Sequence, residues 1–234
     1  MSRKINILDY GRTHFKEAFD VQLEMIKKRR EQKIKDTLIL TEHYPVITLG
    51  RSGDENNLLV SREELESRGI EFQKINRGGD ITYHGPGQLV GYPILKLANL
   101  KKDLHWLMRK YEEVFLRLLK EEFGIKGKRI EGETGVWVEN NKITAIGIGA
   151  KRWISFHGFA FNIDPNMKHF ELINPCGITD KGVTSLKKER PDLKISREEL
   201  KTNLAKHFCS IFDLEVDKVE KRNTGMDNEE CSSP

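Results

Sequence analysis

Apolar positions along the chain fall into two periods. From Phe15 to Lys33 they recur at Phe15, Ala18, Phe19, Leu23 and Ile26, one stripe of an amphipathic helix with Thr13 as its expected N-cap. Asp103 to Phe123 carries the strongest helical stripe (Leu104, Leu107, Tyr111, Val114, Phe115, Leu118 and Leu119), and Gly124 ends it. Ser196 to Phe212 repeats the pattern with Leu200, Leu204, Phe208 and Ile211, opening on a capping box of Ser196 and Glu199. A shorter helix opens at Ser61 and closes at Gly69. Between these helices the period drops to two. Thr37 to Leu40, Val46 to Leu49, Phe72 to Ile75, Ile81 to Tyr83, Leu89 to Ile94 and Ile154 to Ile163 read as strands. Thr134 to Gly149 reads as a hairpin turning at Asn140-Asn141, because asparagine tolerates positive φ. Strands grouped between isolated helices predict an α+β fold.

The strand readings carry a second implication. In regular strands Ala145, Gly147 and Gly149 share a face, and so do Gly158 and Ala160, with Phe156 beside them. If the two strands are neighbours, their small side chains leave a slot above the sheet, suited to a linear acyl chain or a flat ring. The alternative is a helix packed closely against glycine.

Length and composition narrow the class. The 234 residues suit one domain, expected over 1–216, with a polar, aperiodic tail over 217–234. No run approaches the apolar length of a membrane span, and the first ten residues show no apolar core of a secretory signal. Cys176, Cys209 and Cys231 lie far apart, which fits neither a disulfide framework nor a metal site, and a reducing cytoplasm is the expected location. The net charge is only +4, but basic clusters occur at 27–30, 126–129, 151–152 and 187–190. They read as solvated surface or as docking points for an acidic macromolecule. No aromatic-rich motif accompanies them, so nucleic acid is not an expected partner, nor is a membrane.

Two segments carry candidate chemistry. Arg77 to Gln88, RGGDITYHGPGQ, concentrates glycine where the backbone must turn or approach another group closely. It lacks the spacing and context of a phosphate loop. Asn174-Pro175-Cys176-Gly177 sets a thiol in a loop, making Cys176 a candidate nucleophile once a nearby cation favours its thiolate. Lys142 is a candidate for that cation or for a base, although in a regular strand it would point away from Ala145 and Gly147. His84 is a candidate site residue within the glycine loop. His157, by parity on the face of Phe159 and Phe161, reads as a hydrogen-bonded core histidine. Cys209, beside the stripe of a helix, reads as a core cysteine.

RGGDITYHGPGQLVGYP, TGVWV, KITAIG, HGFAFN and NPCGI occur in this order, preceded by EHYPVITLGR. Over roughly Tyr10 to Phe212 the chain resembles the octanoyl-acyl carrier protein:protein octanoyltransferases of lipoate biosynthesis. The resemblance implies a mixed sheet with flanking helices and a curved cleft, as in the catalytic domains of biotin and lipoate ligases. It implies that a cysteine takes the octanoyl group from acyl carrier protein as a thioester and passes it to a lysine. The acceptors are lipoyl domains of 2-oxoacid dehydrogenases and the glycine cleavage H protein. By this resemblance Cys176 is the nucleophile and Lys142 its activating lysine. Arg77, Gly78, Gly79, Asp80, Ile81, Thr82, Tyr83 and His84 match segments lining the acyl site, as do Ala145, Ile146 and Gly147, and Gly158, Phe159 and Ala160. No cofactor is implied, because a thioester already stores the activation that a ligase obtains from ATP. Tyr44 and Asp80 depart from the family's usual residues without touching this chemistry. An ATP-dependent lipoate or biotin ligase on the same fold, a non-catalytic acyl-binding module and a Cys/His hydrolase remain alternatives.

Overall fold

The structure is a computed structural model in which residues 3–174 and 181–222 are described. Its frame is an eight-stranded mixed sheet. Strands β1 (Arg3–Thr13), β2 (Asp36–His43), β6 (Gln88–Ile94), β8 (Asn141–Lys151), β9 (Ile154–Asn162), β10 (Gly182–Val183) and β11 (Leu214–Lys221) lie in the order β10-β8-β9-β6-β2-β1-β11. A short strand, β7 (Val136–Val138), pairs with β8. The contacts β1–β2, β1–β11 and β8–β10 are parallel, and the others are antiparallel. A second sheet sets β3 (Val46–Leu49) between β4 (Glu71–Lys74) and β5 (Ile81–His84).

Both faces of the large sheet are covered, which is why all eight residues of β2 are buried. Ile5, Ile7, Leu38 and Leu40 pack with helices α3 (Leu104–Phe123) and α5 (Arg197–Phe212) on one face. Leu8, Ile39, Val90 and Tyr92 pack with helix α1 (Phe15–Arg30) on the other. The small sheet has its own core, where Ile47, Leu49, Ile81 and Tyr83 meet Leu65 of helix α2 (Arg62–Ser67). A last short helix, α4 (Leu186–Glu189), follows β10. No helix among the described residues is long and apolar enough to cross a membrane.

The helices form for the expected reasons, with adjustments. The Asp103 carboxylate accepts the Trp106 N–H of α3, and Gly124 closes that helix with φ +66. Ser196 caps α5 by accepting the Glu199 N–H. For α1 the cap falls on His14, because the chain passes directly from β1 into the helix. Thr13 remains in the strand, its hydroxyl 2.9 Å from that of Thr41 on β2. The buried stripe of α1 includes Gln22, while Leu23, expected on it, is 40% exposed.

Other differences lie in the strands. The tight turn joining β7 to β8 is at Glu139-Asn140, with Glu139 at φ +48, and Asn141 already belongs to β8. Strand β1 carries no clean period and is not among the expected strands. Strand β11 runs through Lys221, so Asp217 to Lys221 are not a tail but the edge of the large sheet. Charged side chains on an exposed edge hide the strand period there. The rest of the expected tail, 223–234 with Cys231, lies outside the described residues. Cys209 is buried, and burial pushes its thiol up to about 11, as suits a core cysteine.

Candidate active site

Two local features build the site. The first is the glycine loop, which leaves the small sheet at His84 and enters the large sheet at Gln88. Gly87 has φ +92, and a Cβ there would run into the Asp164 carbonyl, so only glycine fits. Its N–H donates to Glu42 Oε2 at 2.9 Å, and its carbonyl accepts from Ile163 and Asp164. Glu42 is itself clamped by Arg12, at 2.7 Å to Nε, and by Arg197. The turn is thus pinned to β2 and to the end of β9.

The second feature is the β8–β9 pair, whose register sets Ala145 opposite Ala160 and Gly147 opposite Gly158. The two strands of small residues are neighbours, and a cleft of about 580 Å³ opens over them. The small sheet and the first turn of α1 supply its other walls. The glycines do not simply leave the slot empty. A Cβ on Gly147 would meet Arg77 Cδ at 3.0 Å, so the Arg77 arm lies across it. A Cβ on Gly158 would collide with the backbone carbonyl of Gly91 on β6 and lie 2.6 Å from Pro93 Cδ. Gly158 therefore serves the close approach of β6.

The structure brings most of the site candidates together. Arg77, Gly79, Asp80, Ile81, Thr82, His84, Lys142, Ala145, Ile146, Gly147, Gly158, Phe159 and Ala160 all line this cleft. Two candidates do not. Gly78 donates its N–H to Ile148 O at 3.0 Å and stitches the loop to β8. Tyr83 is fully buried in the small sheet's core, its hydroxyl 2.8 Å from His169 Nδ1. Phe159 contributes to the lining, but its ring packs on Tyr111 and Phe115 of α3. Arg77 is spread over backbone, with Nη2 donating to Thr48 O at 2.9 Å and to Thr48 Oγ1 at 3.0 Å. The Asp80 carboxylate accepts from Asn57 Nδ2 at 2.7 Å. Cys176 lies outside the described residues. Asn174 and Lys181, the described residues on either side of its segment, both line the cleft.

The direction of Lys142 comes from an irregularity. Val136 on β7 pairs with Thr144, but the next residue, Trp137, pairs with Lys142, so β8 carries an extra residue at Ile143. Such a bulge reverses the alternation of side chains. Ile143 joins Ile146 and Ile148 in the core beneath α3, and Lys142 turns to the cleft alongside Ala145. Its ammonium lies 4.7 Å from the centroid of the Trp137 ring.

His157 departs from its expected place. Its φ is +54, which breaks the strand's parity. The ring stacks on Phe19 of α1 at 5.4 Å rather than facing Phe161. The distorted backbone is held by Gln22, whose Oε1 accepts the His157 N–H at 2.7 Å. His157 Nε2 lies 3.1 Å from Asn76 Oδ1, and the residue also lines the cleft. Burial drives its pKa down to about 3, with Arg77 and Arg51 adding to the effect. Burial, with the neighbouring His43, takes His84 down to about 3 as well, and burial takes His43 to about 4. All three are neutral imidazoles at physiological pH.

A buried polar chain lies beyond the expected site residues. Gln88 Nε2 donates to Tyr83 O at 3.1 Å and to Asn162 Oδ1 at 2.9 Å, leaving Gln88 Oε1 to accept from His84 Nδ1 at 3.0 Å. The proton of His84 therefore sits on Nδ1, and Nε2 is an acceptor. Asn162 Nδ2 donates onward to Thr184 O, and the Thr184 N–H donates to Lys142 O, each at 3.0 Å. Gln88 closes the glycine motif and Asn162 closes HGFAFN, so their positions in the motifs were the available signal.

A mixed sheet covered by helices on both faces, with a cleft beneath a glycine loop, defines a lipoyl protein ligase A/B catalytic domain, and the model of that family matches residues 14–209. An archaeal bipartite lipoate protein ligase from Thermoplasma acidophilum, solved in a study of that ligase and its E2 lipoyl domain, superposes with a TM-score of 0.74. It covers 95% of this chain and 88% of that chain at 14% identity, a likeness of fold. Within that class, the chain belongs to the octanoyltransferases. It is 51% identical over 185 residues to the octanoyltransferase of Caldicellulosiruptor bescii, covering 79% of this chain and 81% of the relative. The octanoyltransferase of Desulforamulus reducens is 41% identical over 222 residues, 94% and 96% of the two chains. The protein is an acyltransferase enzyme of lipoate biosynthesis.

Proposed function

We propose that the chain takes an octanoyl group from octanoyl-acyl carrier protein onto Cys176 and delivers it to the ε-amine of a lysine on a lipoyl domain, in the cytoplasm. The Cys176 thiolate attacks the thioester carbonyl, and the carrier's sulfur leaves and takes up a proton. The acceptor amine then attacks the new thioester, the C–S bond breaks and an amide forms. The proton lost by the amine returns to Cys176. Lys142 serves as the cation beside the thiolate or as the group that carries these protons. The acyl chain lies over Ala145 and Ala160, against Val90 and Ile81.

The observation that carries this reading is the shared cleft. Lys142, the glycine loop, and Asn174 and Lys181 on either side of the Cys176 segment all line one cleft. Holding the acyl group and the acceptor amine together there makes the second step effectively unimolecular. No nucleotide is needed, because one thioester replaces another and aminolysis runs downhill.

The test is intact mass after incubation with octanoyl carrier protein. A gain of one octanoyl group, lost in Cys176→Ala, with transfer to a lipoyl domain in the absence of nucleotide, is the expected result. Product that requires ATP, or a Cys176→Ala variant that still transfers, would overturn it.

A further inference from the structure

Lys142 faces the cleft because of the extra residue at Ile143, but a bulge sets only the direction of a side chain. A lysine has four rotatable carbons beyond that point, and something must select where its ammonium comes to rest. The residue paired with it across the strands is Trp137. The ammonium of Lys142 lies 4.7 Å from the centroid of that ring, within the range of a cation–π contact. Trp137 is 3% exposed, so the ring itself is withdrawn from water, which strengthens such a contact, while Lys142 is half-buried.

Trp137 is itself held firmly. Its N–H donates to Lys128 O at 3.0 Å, and its carbonyl accepts from Lys128 N at 2.8 Å. Its indole Nε1, by contrast, is buried and has no hydrogen-bond partner among the described residues. A buried indole usually finds such a partner, so the site makes use of the ring face rather than the N–H. A second ammonium, that of Lys181, stands 5.7 Å from the same ring centroid. It is anchored elsewhere, by an ion pair of 2.9 Å to Glu133. Trp137, Lys142, Lys181 and Glu133 all line the cleft.

We propose that Trp137 is a positioning residue for Lys142. Its ring fixes the ammonium inside the cleft, and the Glu133 carboxylate keeps Lys181 from taking that place. The inference rests on the participation of Lys142 set out under Proposed function.

The test compares Trp137→Phe and Trp137→Leu with Lys142→Ala in octanoyl transfer from carrier protein to a lipoyl domain, with thermal unfolding of each variant. Phenylalanine keeps a π-face and removes only the unpartnered N–H, whereas leucine removes the π-face. The expected result is a fall in kcat of about tenfold for Trp137→Leu and no more than about threefold for Trp137→Phe, with KM for both substrates unchanged. A wild-type kcat in Trp137→Leu while Lys142→Ala is impaired overturns the inference alone. So do equal losses in the two tryptophan variants that follow their unfolding temperatures, because a merely structural role gives that pattern. Full activity in Lys142→Ala overturns the participation of Lys142 and this inference with it.

Discussion

Gln88 Nε2 donates to Asn162 Oδ1 at 2.9 Å, and this bond joins the glycine loop to the far end of β9. Both side chains are shut off from solvent, Gln88 at 2% and Asn162 at 4% exposed. The same glutamine fixes the tautomer of His84, and the same asparagine holds Thr184, whose N–H bonds the Lys142 carbonyl. One wall of the cleft is therefore mechanically connected to the strand bearing Lys142.

Removing Gln88 should show how far that connection matters. Gln88→Ala leaves His84 Nδ1, Tyr83 O and Asn162 Oδ1 without their partner. Each buried polar group left unsatisfied costs about 1–3 kcal/mol. The expected outcome is a loss of at least about 2 kcal/mol in urea denaturation and a reduced kcat for transfer. Unchanged stability would show that water replaces the amide at no cost.

Glu42 is the corresponding anchor on the other side of the turn, shared by Arg12, Arg197 and the Gly87 N–H. Its arginine partners are about half exposed, so their part in the stability is modest. The buried bond to Gly87 is the term that positions the loop. Glu42→Gln keeps the shape and should lower stability by about 1–2 kcal/mol. Glu42→Ala should also raise KM for the acyl donor, as the loop relaxes away from Ala145 and Ala160. Steady-state kinetics on the two variants separates these effects.

Much of this architecture is legible in the sequence. The glycine loop, the two strands of small residues and the capped helices announce themselves because glycine density, a period of two and capping boxes are local properties. The features that are not legible depend on distant partners. The α1 stripe includes Gln22 because the distorted His157 backbone, 135 residues away, requires an acceptor there. Lys142 turns inward because β7 pairs with β8 out of step, and strand parity assumed regular pairing. Strand β11 shows no apolar alternation because a solvated edge is built from backbone hydrogen bonds.

The buried histidines give the fold a pH dependence of known sign. His43, His84 and His157 have folded-state pKa values of about 4, 3 and 3, against about 6.5 for an unfolded histidine. Between those limits the unfolded chain binds protons that the folded chain does not. Stability is therefore full above about pH 6.5 and is lost as pH falls toward 4. Each histidine contributes a slope of up to about 1.4 kcal/mol per pH unit. His157→Asn tolerates the positive φ and removes one such group. Urea midpoints between pH 6 and 4.5 should fall less steeply for this variant than for the wild type. An identical slope would mean that His157 titrates alike in both states.

Gly147 and Gly158 face each other across β8 and β9 but should respond differently to an added methyl group. At Gly158 the obstacle is the Gly91 carbonyl in the middle of the sheet, with Pro93 Cδ at 2.6 Å. Neither moves without disturbing the β6–β9 ladder. Overpacking of this kind costs about 1–3 kcal/mol and at times more, so Gly158→Ala should be strongly destabilised in urea denaturation. At Gly147 the methyl group meets Arg77 Cδ and Gly78 O, both at 3.0 Å. The arginine arm is able to shift by a few tenths of an ångström, but its bonds to Thr48 resist a larger move. Gly147→Ala should keep most of its stability and pay instead in the acyl site, where Arg77 is pushed over the floor of the cleft. The expected signature is a raised KM for the octanoyl donor with a small change in unfolding free energy. If both variants lost stability equally and kept the same KM, the arm across Gly147 would have no part in shaping the cleft.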